Sequence, residues 1–186
     1  MNRLIIILVA IIFILLVVLA FKIHAMRAQA LALIQAWAQH LLYTRLVVMA
    51  FFSDNPELSS LSAKLMQNQA DLGQLIGAQF GPATVTAVTT ALREHITLAV
   101  QVLTAVKEKI DPTAAIAAFY QNAAQIGQTL DKLYGTGSMF QECMRDHITL
   151  LIANVQSYRA RENDITTLDA YFNEGMKMAV LQARYI

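Results

Sequence analysis

The chain has 186 residues, 56% of them hydrophobic and 15% charged, with a formal net charge of +1, which is enough polypeptide for one domain with a real core. Three of the fourteen basic residues, Arg3, Lys22 and Arg27, flank the apolar N-terminus, so the remainder is near neutral; without a basic patch it lacks the electrostatic footprint of a nucleic-acid-binding protein. The lone Cys143 excludes an intramolecular disulfide, and no CxxC, HExxH, phosphate-cradling glycine loop or GxSxG motif is present.

Leu4 to Phe21 is a run of eighteen apolar residues, long enough at about 1.5 Å per residue to cross most of a hydrocarbon layer roughly 30 Å thick. A secretory leader has a shorter apolar region ending at a small-residue cleavage site. Here the run continues into Lys22-Ile23-His24, and Ala28-Gln29-Ala30 is the nearest approach to such a site. The reading adopted is an uncleaved single-pass anchor, residues 1–22, followed by a helical domain, residues 23–186. Arg3 on one side nearly balances Lys22 and Arg27 on the other, so basic residues at the two ends leave the orientation open.

No proline or glycine interrupts Lys22 to Phe52, and Leu33, Trp37, Thr44, Val47 and Phe51 recur at helical spacing, so the anchor is expected to run straight into the first helix of the domain. Ser53-Asp54-Asn55-Pro56-Glu57 reads as a stop and a restart. A second helix is expected to about Gln79, with a break near Asn68 as one reading, and a third from Pro82 to Lys109 with a stripe through Val88, Leu92, His95, Ala99, Val102 and Val106. Asp111-Pro112 opens a fourth to about Tyr134, and Gly135-Thr136-Gly137-Ser138 forms a tight loop. A fifth runs from Met139 to Arg161 through Phe140, Cys143, His147, Leu151 and Asn154; Asn163-Asp164 caps a last helix to about Arg184, and Arg159 to Asp164 reads as a solvated helix end. No strand pattern occurs. The fold expected is all-α: a transmembrane helix plus an up-and-down bundle of about five helices.

The chain also repeats itself. Arg93-Glu94-His95-Ile96-Thr97-Leu98 returns as Arg145-Asp146-His147-Ile148-Thr149-Leu150, and upstream Gln67-Asn68, Gly73-Gln74 and Gly81 return as Gln121-Asn122, Gly127-Gln128 and Gly135. One helical hairpin is used twice. Gly73 and Gly127 cost about 1 kcal/mol each in a helix relative to alanine, so they mark either close approach between the two hairpins or a break after the asparagines.

His40, His95 and His147 each lie on the apolar stripe of a different helix and are expected to point into the bundle. Bundle cores hold metals with inward histidines, but a di-iron site uses Glu-x-x-His. Glu94 and Asp146 adjoin two of the histidines and lie about 100° round the helix from them, so they are peripheral. A metal such as zinc or iron would therefore take His40, His95 and His147 with Glu94 or Asp146. The competing reading is a structural polar core in which amides and hydroxyls satisfy the imidazoles, with Asn68, Asn122 and Thr44 as partners and Thr97 and Thr149 as further candidates. Because the asparagines recur with the histidines, a repeated Asn-to-His hydrogen bond is the economical arrangement. Trp37 and Tyr43 read as core aromatics.

His40-Leu41-Leu42-Tyr43-Thr44-Arg45, Leu65-Met66-Gln67-Asn68, Asp71, Phe80-Gly81, Glu94-His95, Phe119-Tyr120-Gln121-Asn122-Ala123 and Asp146-His147 together resemble a family of small helical proteins found in spore-forming bacteria, methanogens and large DNA viruses. The resemblance covers about Gln39 to Ala179. Members usually carry Trp where Tyr43 stands and often a histidine near Glu174, a departure that weakens a metal site carried over from them. The resemblance implies a helical domain without an established activity.

Two functional readings follow. In the first, the protein is a membrane-anchored structural or scaffolding component without catalytic activity, whose partners are the bilayer and other proteins of a membrane-associated assembly; the viral branch of the resemblance implies a minor capsid or inner-membrane-associated virion protein. In the second, the domain binds a metal or small ligand through its core histidines and is a candidate enzyme.

Overall fold

The computed structural model describes residues 3–186; Met1 and Asn2, part of the expected anchor, lie outside the described residues. Six helices make up the chain: α1 (Arg3–Phe52), α2 (Leu58–Gly77) with a 3-10 turn at Ala78–Phe80, α3 (Pro82–Glu108), α4 (Thr113–Tyr134), α5 (Met139–Ala160) and α6 (Asp164–Gln182). Among the described residues there is no strand. Each helix packs against its neighbours in the chain, and α6 returns to α1, closing a ring. The second half of α1 is the first helix of the domain, as expected, and with α2 to α6 it makes a bundle of six where about five were expected.

The two halves of α1 meet different surroundings. Every residue from Ile5 to Ala28 is exposed, whereas Leu33, Ala36, Trp37, His40, Leu41, Thr44, Val47 and Val48 are buried. That second set follows the three- and four-residue spacing of a helix face turned to a core. With no proline or glycine between them, nothing forces a bend, and one 50-residue helix serves both halves. It is long and apolar enough to cross a membrane.

Turn chemistry sets the helix ends. Gly135, at φ 70°, closes α4 in the left-handed conformation that glycine adopts at least cost, and Asp111 Oδ1 accepts the Thr113 amide at the start of α4. Asp131, near the end of α4, accepts from the Phe140 and Gln141 amides, the Thr136 hydroxyl and the Gln141 side chain, and so caps α5 from a neighbouring helix. Burial pushes its carboxyl up, but these bonds outweigh burial and hold it below the usual carboxylate range.

Three expectations are corrected here. Helix α2 runs unbroken past Asn68 and Gly73, so the glycines mark close approach. That approach lies within each hairpin and not between the two: a Cβ on Gly73 would meet Thr89 of α3, and one on Gly127 would stand 2.5 Å from Gln141 Cα of α5. Nor is Arg159 to Asp164 only a solvated end. Asn163 makes no side-chain cap; Asp164 instead receives both terminal nitrogens of Arg45 on α1, one at 2.9 Å, and the buried Asn154 of α5 joins the same group. Arg45 also lies over the Tyr158 ring, 4.6 Å from its centroid.

In an exposed helix Gly→Ala gains about 1 kcal/mol. Because the Gln141 backbone cannot step aside, Gly127→Ala is expected instead to cost about 1 to 3 kcal/mol through overpacking, read as a lower midpoint of thermal unfolding by circular dichroism in detergent. A raised midpoint would show that α4 and α5 separate freely.

Candidate functional site

The three histidines sit on α1, α3 and α5, one on every second helix of the ring. All are buried, at 3%, 3% and 1% exposure for His40, His95 and His147. His147 lies between the others, with ring centroids 5.8 Å from His40 and 6.4 Å from His95. Trp37, whose indole nitrogen donates to Gln182 of α6, stands edge-on to His40; Phe119 and Tyr171 pack on His95 and His147. The expected inward placement is therefore found, and Trp37 is a core aromatic.

Each imidazole presents Nδ1 to a polar side chain on the next helix along the chain. His95 Nδ1 is 2.8 Å from Asn122 Oδ1 of α4. The Asn122 amide nitrogen is committed to the Ala91 carbonyl, so its oxygen must accept: His95 carries its proton on Nδ1 and leaves Nε2 bare. His40 has the opposite tautomer. Its Nδ1 lies 3.1 Å from Gln69 Nε2, which can only donate and shares its two hydrogens among His40 Nδ1, Leu65 O and Asn68 Oδ1. His40 Nδ1 is thus the unprotonated nitrogen, and Nε2 carries the hydrogen. His147 Nδ1 faces Glu174 Oε2 of α6 at 3.6 Å, too long for a hydrogen bond.

The polar core is laid out differently from the expectation. The Asn-to-His bond occurs once, and it joins the asparagine of the second copy to the histidine of the first. Asn68 touches no histidine: its amide donates to Ala36 O, and Gln69 intervenes before His40. Thr44 is buried, as expected, close enough to the Tyr171 phenol to oppose the rise in its pKa that burial causes. The two do not meet hydrogen-bond geometry, and both oxygens lack a partner. Thr97 and Thr149 are exposed and bond back to Arg93 O and Arg145 O one turn earlier.

Glu94 and Asp146 are exposed and face away from the cluster, so neither joins the histidines as the expected metal set requires. Among the described residues no three His, Cys, Asp or Glu side chains stand where they could hold one ion. The carboxylate beside the histidines is Glu174. Five buried polar atoms lack partners: Thr44 Oγ1, Gln69 Oε1, His147 Nδ1, Tyr171 Oη and Glu174 Oε2. Beside His40, Thr44 and His95 lies a cavity of about 30 Å³, otherwise lined by apolar side chains such as Val48, Leu103 and Phe119. That is room for a water-sized occupant.

The residues that sequence reasoning missed are Gln69, Tyr171 and Glu174. Gly175 makes a close approach to Leu41 of α1, as Gly73 and Gly127 do to their next helices. Helices α1 and α6 are thus a third hairpin's worth of the same ring, with only the histidine and the glycine retained. Comparison with known protein families, curated proteins and solved structures finds no match.

Burial, together with the neighbouring His147, pushes His95 down to about 3 from 6.5, and burial chiefly depresses His40 as well. Between those limits the unfolded chain binds a proton at His95 that the folded chain refuses, so stability is full above pH 6.5 and falls as pH drops toward 3. The slope is about 1.4 kcal/mol per pH unit, or about 2 kcal/mol for His95 alone between pH 6.5 and 5. His40 acts in the same direction. Unfolding measured at pH 7 and pH 5 should show this loss before the carboxylates titrate; equal stability at the two values would mean the rings accept protons in the folded state.

Proposed function

We propose that the protein is a membrane-tethered structural component without catalytic activity, which holds a rigid helical bundle close to a bilayer as part of a larger membrane-associated assembly. The observation that carries this reading is the continuity of α1. Its exposed apolar segment from Ile5 runs without a break into the residues that carry Trp37, His40 and Leu41 in the core, so motion of the anchor is motion of the bundle. Side chains such as Phe13 and Phe21, 67% and 72% exposed, have no protein partner, and such a surface calls for lipid. The small volume of the cavity beside the histidines, about 30 Å³, supports a non-catalytic role. The most specific form of this reading is a minor capsid or inner-membrane-associated component of a large DNA virus particle, supported by the viral branch of the resemblance.

Full-length protein is expected to remain with membranes after alkaline carbonate extraction. Replacing Ile7, Ile11 and Ile14 with lysine, each at a cost of about 3 kcal/mol in a bilayer, should release it with its helical circular dichroism intact, because these side chains touch nothing in the bundle. Wild-type protein washed off by carbonate would remove the anchor from this reading.

The five unpartnered buried atoms favour a second reading, a core that binds a small ligand or a transition metal such as zinc or iron. It would use His147 Nδ1 and Glu174 Oε2 with the hydroxyls of Thr44 and Tyr171. On that reading a metal copurifies near one per chain and chelation lowers the unfolding midpoint, because a bound ion stabilises the folded state. Less than about 0.2 metal per chain, with no effect of chelation, removes the metal form of the reading.

A further inference from the structure

Both ends of the bundle carry aromatic rings and bases, but at the far end Phe51, Phe52 and Tyr158 lie among the exposed acids Asp54, Glu57, Glu108, Asp111 and Glu162, whereas the end from which α1 departs carries fewer. Gln29 reaches the carbonyl of Leu75, so α1 enters the ring beside the last turn of α2. Gln79 in turn bonds the carbonyl of Tyr185. The rings of Phe80, Tyr134, Phe140 and Tyr185 form one cluster there, with Phe80–Tyr134 at 5.8 Å and Tyr134–Tyr185 at 5.4 Å. Phe80 and Tyr185 are each 39% exposed and open the cluster to the outside. Lys132 and Arg184 are exposed on the same end, and Lys22 and Arg27 lie on the stretch of α1 that leaves it. Against these four bases stand two carboxylates, Glu142, exposed and accepting from Ser138, and Asp131, buried as the cap of α5.

A ruler along α1 places this end. The uncharged run stops at Phe21, and contact with the bundle begins at Gln29, leaving seven residues, Lys22 to Ala28, or about 10 Å of helix between hydrocarbon and bundle. The headgroup zone is itself about 5 to 8 Å thick on each side. A straight α1 therefore leaves only a few ångströms between the bundle end and the headgroups, within reach of lysine and arginine side chains. Aromatic rings with one polar edge, flanked by bases, are what a membrane interface accommodates, and each base near an anionic leaflet favours contact.

We propose that this end of the bundle, carrying Phe80, Tyr185, Lys132 and Arg184, is a docking face for the headgroups of anionic phospholipids on the leaflet from which α1 emerges. The proposal rests on the membrane-tethered reading and deepens it: the domain lies on the bilayer instead of standing clear of it on a stalk. It also gives the chain an orientation, with the bundle on the anionic side, which the flanking charges of the anchor leave open.

The test uses full-length protein, with Cys143→Ser and a single probe at either Ala83→Cys, exposed on the docking end, or Glu108→Cys, exposed at the far end of the same helix. The protein is reconstituted into vesicles of phosphatidylcholine, or of phosphatidylcholine with phosphatidylserine, carrying a headgroup-attached quencher. The probe at position 83 should be quenched and that at 108 spared. Phosphatidylserine should strengthen the quenching, salt should weaken it, and Lys132→Gln and Arg184→Gln should each lower the docked population about fivefold. Equal quenching at both positions, or none at 83 in protein that stays with the vesicles, overturns the docking face while leaving the anchor standing. Protein that floats free of the vesicles overturns both.

Discussion

Three imidazoles lie in the centre of this bundle, and an imidazole out of water is tolerated only if its ring nitrogens find partners. Its own helix cannot supply them, because neighbours along the same face are one turn away and mostly aliphatic. The partners come from the next helix along the chain: Gln69 of α2 for His40, Asn122 of α4 for His95 and, at longer range, Glu174 of α6 for His147. The pairing fixes the order of the ring, since each histidine helix must lie beside the helix that serves it. It also fixes the tautomers of His40 and His95, which are opposite because one partner offers an amide nitrogen and the other a carbonyl oxygen.

The same helices are held at the other edge of each pair by glycine. Gly73, Gly127 and Gly175 let α2, α4 and α6 come close to α3, α5 and α1 in turn. Polar backing on one side and close approach on the other recur three times, and the third time they close the ring. Arg45 and Asp164 reinforce that last junction with a bidentate, partly buried ion pair between α1 and α6. Junctions elsewhere are made by chain-adjacent helices with short loops, whereas α1 and α6 come from opposite ends of the chain. A charge-assisted contact is placed where chain connectivity gives no help.

Helix α1 ties this architecture to the proposed role. Its core half carries Trp37 and His40, and from Ile5 to Phe21 it offers only aliphatic and aromatic surface. Because the two are one helix, the arrangement of the core and the attitude of the bundle toward a bilayer are not independent. On the proposed docking, the aromatic and basic end around Phe80, Tyr134 and Arg184 is the part that a straight α1 would bring against lipid headgroups.

Much of this was legible from residue order alone. The apolar run, the helices and most of their ends, the absence of strand patterns, the doubled hairpin and the inward direction of His40, His95 and His147 all depend on local spacing, which a linear chain displays directly. What only the tertiary structure decided was partnership across helices. Gln69 and Glu174 reach histidines 29 and 27 residues away, and Asp164 finds Arg45 across 119. The third hairpin escaped notice for the same reason. Packing in a ring requires only that a histidine and a glycine occupy the right places, and two residues are too few to register as a repeat until the helices stand side by side.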